Sequence, residues 1–133
     1  MTYKEFRIPN EPCQYSIDDY GKVRDKLISM FSKLSSAISI YQIGTVNNPG
    51  ISDLDLVVVF DDSSKKFDYY KDYNNTLENR DRYILMHGPF IITKSLFKDM
   101  RYFYIPGKFD LLWGEKIDIK EIPYPKLCEQ LIA

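Results

Sequence analysis

The stretch DLDLVVVF at residues 53–60 constrains the fold most, because two aspartates interrupt the most β-prone apolar run of the chain. Side chains alternate between the faces of a strand, so Asp53 and Asp55 are predicted to project to one side. Strand interiors disfavour aspartate, and two close carboxylates repel each other unless a cation lies between them. The pattern therefore predicts a cation site at the start of a strand whose other face is apolar: Leu54, Leu56, Val58 and Phe60.

The turn-rich segment before this strand, GTVNNPGIS at residues 44–52, predicts a seat for phosphate. Gly44 lets a ligand approach the backbone closely, and Thr45 adds a hydroxyl beside backbone N–H groups. Ser52 then leads into the first aspartate. Magnesium favours carboxylate oxygens and completes its octahedron with water and substrate phosphates. The two segments together predict a phosphate-binding site that faces a magnesium site.

At these residues the chain resembles the nucleotidyltransferase superfamily, which includes DNA polymerase β and the minimal nucleotidyltransferases. The family pattern is a hydrophobic residue, Gly, Gly or Ser, a loop, and then Asp-hydrophobic-Asp/Glu-hydrophobic. Residues 43–45 and 53–56 match it, with Thr45 in the Gly/Ser position and a loop of seven residues that contains no Arg or Lys. The resemblance implies transfer of a nucleoside monophosphate from a nucleoside triphosphate to an acceptor hydroxyl or phosphate, with release of pyrophosphate.

The resemblance also implies roles for individual residues. Asp53 and Asp55 would bind Mg²⁺, or Mn²⁺ in its place. Gly44, Thr45 and Ser52 would contact the triphosphate of the incoming nucleotide. The acceptor stays open between a small molecule, a protein and RNA, and a homodimer is compatible with the sequence.

The family uses a third carboxylate on a later strand, and Asp110 in KFDLLW is the predicted one. A carboxylate among apolar neighbours needs a partner, which the metal site would provide. Asp118 is the alternative, although the lysines two residues to either side of it indicate a solvated edge. Asp110 is predicted to lie beside Leu112, on the face opposite three aromatic or aliphatic residues: Phe109, Leu111 and Trp113.

Periodicity and turn residues predict one α/β (α+β) domain with a mixed β-sheet flanked by helices, over residues 16–122. The resemblance implies that this domain is of the nucleotidyltransferase-like type. Residues 1–15 would be an N-terminal extension, and residues 123–133 would begin a C-terminal helix of a longer parent protein. The expected helices cover 16–38, 63–80 and 95–100. The expected strands cover 38–44, 53–60, 82–93 with a break at Gly88-Pro89, 101–105, 108–113 and 115–122.

Composition narrows the classes of function. The formal net charge is −1, and no cluster of Lys and Arg marks a surface for nonspecific nucleic-acid binding. No apolar run reaches the roughly 20 residues of a membrane-spanning helix. Cys13 and Cys128 form no metal-binding motif and are interpreted as reduced thiols of a cytoplasmic protein. His87, the single histidine, is interpreted as a hydrogen-bonded structural residue in preference to one that contacts a base or an acceptor.

Two alternatives to a catalytic nucleotidyltransferase stay open. The first is a noncatalytic module of the same fold that binds nucleotide or a protein partner, which would be favoured if Asp110 faced away from the other two aspartates. The second is a small transferase paired with an antitoxin, which the compact size permits.

Overall fold

The structure is a computed structural model that describes residues 14–64, 75–102 and 107–123. Its strands form one mixed sheet in the order β3-β2-β1-β4, with β2 and β3 parallel and the other neighbours antiparallel. This arrangement confirms the predicted α+β class with a mixed sheet. The described elements are α1 (Ile17–Phe31), β1 (Ala37–Ile43), β2 (Asp55–Phe60), α2 (Asn79–Ile84), β3 (Phe90–Thr93), α3 (Lys94–Lys98), a 3₁₀ turn (Met100–Tyr102) and β4 (Phe109–Gly114).

The sheet separates two apolar cores, as the alternation along β2 predicts. The even-numbered side chains of β2 pack against α1 and α2 in a first core of fully buried residues, which includes Tyr20, Val23, Leu27, Phe31, Leu56, Val58, Phe60 and Ile84. Val57 and Val59 point to the other face and join a smaller second core that includes Tyr41, Ile43, Phe97, Met100 and Ile117. The side of the sheet that carries Asp55 is therefore covered by short elements.

Helix α1 begins where the sequence predicts and ends earlier. The carboxylate of Asp19 accepts a hydrogen bond from the Ser16 N–H at 2.9 Å, which caps the helix. The helix ends at Phe31, and the Ser32 N–H closes its last turn on the Ile28 carbonyl at 2.9 Å. The segment from residue 32 to residue 36 turns the chain into β1, so the predicted helix over 16–38 is too long.

One predicted strand is wrong before its break and correct after it, and another is wrong throughout. The segment 82–93 holds the end of α2, a turn and β3 instead of one broken strand. Asp81 caps α2 by accepting from the Glu78 N–H at 3.1 Å, and burial of Leu77 and Ile84 fixes this helix on the first core. Residues 115–122 form no strand: the Ile117 N–H donates to the Tyr41 hydroxyl at 2.7 Å rather than to a neighbouring strand.

Several predictions fall wholly or partly outside the described residues. Most of the expected helix over 63–80, residues 103–105 of the expected strand 101–105, and nearly all of the two terminal segments lie there. Residues 101 and 102 belong to the 3₁₀ turn instead of a strand. Within the described residues, no helix is long and apolar enough to cross a membrane.

Candidate metal and nucleotide site

The carboxylates of Asp53 and Asp55 lie where the loop after β1 enters β2. Leu54, between them, is buried, and its N–H donates to the Ile84 carbonyl at 2.8 Å, which fixes the entry of β2 against the end of α2. Burial raises the pKa of the Asp55 carboxyl above its ordinary value, the nearby Asp53 raises this pKa further, and His87 lowers it. The two aspartates are therefore electrostatic neighbours, as predicted, and a cation between them would relieve the cost of their charges.

His87 lies at the same site. It follows α2 in a turn, where its Nε2 is 3.9 Å from Oδ2 of Asp53 and its side chain is 63% exposed. The ring is thus at the surface beside a carboxylate, and the interpretation of a structural histidine held by hydrogen bonds is not supported. Sequence reasoning missed this proximity because it depends on α2 ending beside the start of β2.

The loop from Gly44 to Ser52 is closed by its own hydrogen bonds. The Asn48 N–H donates to the Ser52 hydroxyl at 3.1 Å, and the Ser52 N–H donates to the Asn48 carbonyl at 2.8 Å. Gly44 has a φ of 68°, a conformation that favours glycine, and its N–H donates to the Lys108 carbonyl at 3.2 Å. The N–H groups of Gly44 and Ser52 are therefore already used, whereas the Thr45 side chain is exposed.

Two tyrosines fasten this loop to the helices behind it. The buried hydroxyl of Tyr20 on α1 accepts from the Gly50 N–H at 3.0 Å and donates to the Ser52 carbonyl. The hydroxyl of Tyr83 on α2 donates to the Gly50 carbonyl at 2.8 Å. The loop is thus held in one shape before any ligand arrives. Sequence analysis did not identify either tyrosine, because the contacts of their hydroxyls with the loop depend on how α1 and α2 pack beside it.

The structure does not bring Asp110 to the other two aspartates. Residues directly opposite each other in an antiparallel pair of strands lie on the same face of the sheet. Gln42 is opposite Asp110 on one side and Leu56 on the other, so Asp110 lies on the face of the first core. Asp55 is opposite Ile43 and lies on the other face. The Asp110 carboxylate is 46% exposed and is 3.6 Å from Nζ of Lys108.

A β-bulge in the pairing of β1 and β4 also changes the predicted faces of β4. Leu111 is opposite Tyr41, but Trp113 is opposite Ile40, so one extra residue of β4 is inserted between them. Trp113 and Leu112 both pack against the first core, instead of on opposite faces. The predicted common face of Phe109, Leu111 and Trp113 is wrong for this reason.

Asp118 does not complete the site either. It is an exposed residue in the segment after β4, among Lys116, Ile117 and Ile119. In the described part of the chain, no group of three or more His, Cys, Asp or Glu residues is arranged to hold a metal ion.

An apolar cleft of about 490 Å³ opens beside Asp55 on the second face of the sheet. Among the described residues that line it, Asp55 is the only charged one. The other lining residues are apolar: Ile43, Val57, Phe90, Ile91, Ile92, Leu96 and Met100. A carboxylate at the mouth of an apolar cleft is an arrangement typical of small-molecule sites.

Comparison of the chain with protein-family models, with curated proteins and with solved structures finds no match.

Proposed function

We propose that this chain is a magnesium-dependent nucleotidyltransferase, which moves a nucleoside monophosphate from a nucleoside triphosphate to an acceptor hydroxyl or phosphate and releases pyrophosphate. The supporting observation is the pair Asp53 and Asp55, placed as electrostatic neighbours at the end of a tightly held loop, with the pKa of Asp55 raised. A nucleotidyltransferase uses cellular nucleoside triphosphates, so we expect the chain to act in the cytoplasm.

The residues at the site suit a hard divalent cation. Mg²⁺ is often held by only one or two carboxylates, with substrate phosphates and water as its other ligands, so a third acid is not required for binding. Asp53 and Asp55 would hold the ion, and Mn²⁺ has the same preference for oxygen ligands. When bound, the ion would offset the negative charge of the phosphate oxygens.

The protein's own groups would orient the nucleotide. The exposed hydroxyl of Thr45 is free to donate to a phosphate oxygen, and the Ser52 hydroxyl accepts from the Asn48 N–H while keeping its own hydrogen for donation. Because Tyr20 and Tyr83 already hold the loop, little ordering entropy would be lost when the triphosphate binds.

A second candidate is a noncatalytic nucleotide-binding or protein-binding module of the same fold. The position of Asp110 favours it, because this residue lies across the sheet from Asp55 and two carboxylates alone would hold the ion. Such a module would bind magnesium and nucleotide without turnover.

Calorimetry of wild-type protein titrated with Mg²⁺ and ATP tests binding. We expect Asp53→Asn and Asp55→Asn each to weaken binding at least about tenfold, because each removes a charged ligand of the ion. Asp110→Asn is the matched control and should bind as the wild type does. Absence of binding by the wild type, or equal binding by Asp53→Asn, would contradict both candidate functions that use this site for nucleotide.

Turnover is measured separately, as pyrophosphate released from each nucleoside triphosphate in the presence of small-molecule, protein or RNA acceptors. Release that depends on Asp53 supports the nucleotidyltransferase. Binding with no release under any of these conditions supports the noncatalytic module.

A further inference from the structure

The apolar cleft lies on the second face of the sheet, whereas Tyr20 and Tyr83 hold the loop from α1 and α2, which pack on the first face. Going along the chain, the loop ends at Ser52, Asp53 follows, and β2 begins at Asp55. Asp55 lines the cleft, and so does Val57, two residues further along the same face. Asp55 therefore borders the cleft directly, and Asp53 connects it along the chain to the loop.

The lining of the cleft defines the chemistry of its ligand. Phe90 and Leu96 remain 49% and 50% exposed although both are large apolar residues, and they form part of the lining. Apart from Asp55, no lining side chain in the described part of the chain offers a charged group or a strong hydrogen-bonding group. A volume of about 490 Å³ lies within the usual range for small-molecule sites and suits an aromatic or branched apolar body.

The direction of phosphoryl transfer decides which substrate this position suits. The attacking and leaving oxygens lie roughly in line through the phosphorus that is attacked. If the loop holds the triphosphate, pyrophosphate leaves on the side of Thr45 and Ser52. The attacking oxygen then approaches from the opposite side, where Asp55 borders the cleft.

We propose that the cleft binds the acceptor, a small molecule with an apolar, preferably aromatic, body and a hydroxyl group at the end nearest Asp55. This inference rests on the proposed nucleotidyl transfer and names its acceptor class. The acceptor oxygen forms a bond to the α-phosphorus while the bond from that phosphorus to the oxygen bridging to the β-phosphate breaks. The hydroxyl proton passes to solvent, and pyrophosphate carries away the electron pair of the broken bond.

Tryptophol, an indole with a terminal hydroxyl, is the probe, and its binding is followed by ligand-observed NMR. A ligand of this size is expected to bind with a Kd of about 1 mM. Leu96→Trp would fill the cleft with a larger side chain at a half-exposed position and should weaken binding at least about fivefold. Leu111→Trp is the matched control, because Leu111 is 40% exposed and lies outside the lining of the cleft.

The same samples are titrated with Mg²⁺ and ATP, so that the acceptor cleft and the proposed function are tested independently. Tryptophol binding that persists at saturating Mg²⁺ and ATP, and that only Leu96→Trp weakens, supports the inference. Displacement of tryptophol by ATP would assign the cleft to the nucleobase and overturn it. Equal binding by Leu96→Trp, or no tryptophol binding by a wild type that binds Mg²⁺ and ATP, would overturn the cleft alone. Failure to bind Mg²⁺ and ATP would remove the proposed function, and the acceptor assignment with it.

Discussion

Replacing Tyr20 with phenylalanine would remove one hydroxyl that holds the loop at the candidate site from behind. The ring itself is fully buried in the first core and would stay in place. Two partners would lose their hydrogen bonds: the Gly50 N–H, 3.0 Å from the hydroxyl, and the Ser52 carbonyl. A buried group left without its hydrogen bond costs about 1–3 kcal/mol. Because Ser52 is only half-buried and water can satisfy its carbonyl, we expect a total of about 2–3 kcal/mol.

Thermal unfolding checks this value. For a chain of this length, a loss of about 2–3 kcal/mol corresponds to a fall in Tm of roughly 6–12 °C. Tyr83→Phe is the control, since it removes one hydrogen bond, to the Gly50 carbonyl, instead of two, and should cost less, about 1 kcal/mol. The loop of the Tyr20→Phe variant would need ordering on binding, so its affinity for Mg²⁺ and ATP should fall by several-fold. A Tm within about 1 °C of the wild type, together with unchanged nucleotide affinity, would refute the conclusion that this hydroxyl holds the loop.

Three further substitutions test charge, capping and backbone conformation. Asp55→Asn should stabilise the apo fold at neutral pH, because the raised pKa of Asp55 means that ionisation of this carboxyl destabilises the folded state. The gain in the free energy of unfolding should shrink as the pH falls below the folded-state pKa, and urea unfolding across a pH series would show this. Asp81→Ala should lower the free energy of unfolding in urea by about 1–3 kcal/mol, because it removes both the cap of α2 and the partner of Lys26, whereas Asp81→Asn should cost less. Gly114→Ala should cost at least about 2 kcal/mol in the same assay, because φ is 89° and a Cβ would lie 2.0 Å from the Ile38 carbonyl oxygen; equal stability would contradict the close approach of β1 and β4.

The sequence predicted β2 and its two faces well, because a strong period-two pattern is local. Asp55 and Val57 point away from the first core as expected. The same local reasoning failed at Arg82-Tyr83-Ile84-Leu85, where β-prone residues suggested a strand. The cap provided by Asp81 and the burial of Ile84 fix a helix there instead, so tertiary packing overrode propensity.

The parts of the site that sequence reasoning missed all depend on contacts between distant segments. The alternation along β4 predicts that Asp110 belongs to the site. The face of the sheet on which Asp110 lies is instead set by its pairing with Gln42, and the sequence of β4 alone does not indicate that register. His87 reaches Asp53 only because the end of α2 is fixed against the entry of β2 by the Ile84 carbonyl. Such positions follow from the assembled fold rather than from any one segment.

The division of the apolar interior by the sheet affects which substitutions this fold tolerates. The first core, behind the sheet, contains α1 and most of the largest fully buried side chains. The cleft lies in front, and Leu96 and Phe90 at its edge belong to neither group of buried core residues. Substitutions at Leu96 and Phe90 can therefore change the lining of the cleft while the packing of the first core is kept. Chains that differ at these positions could then accept different molecules on one scaffold.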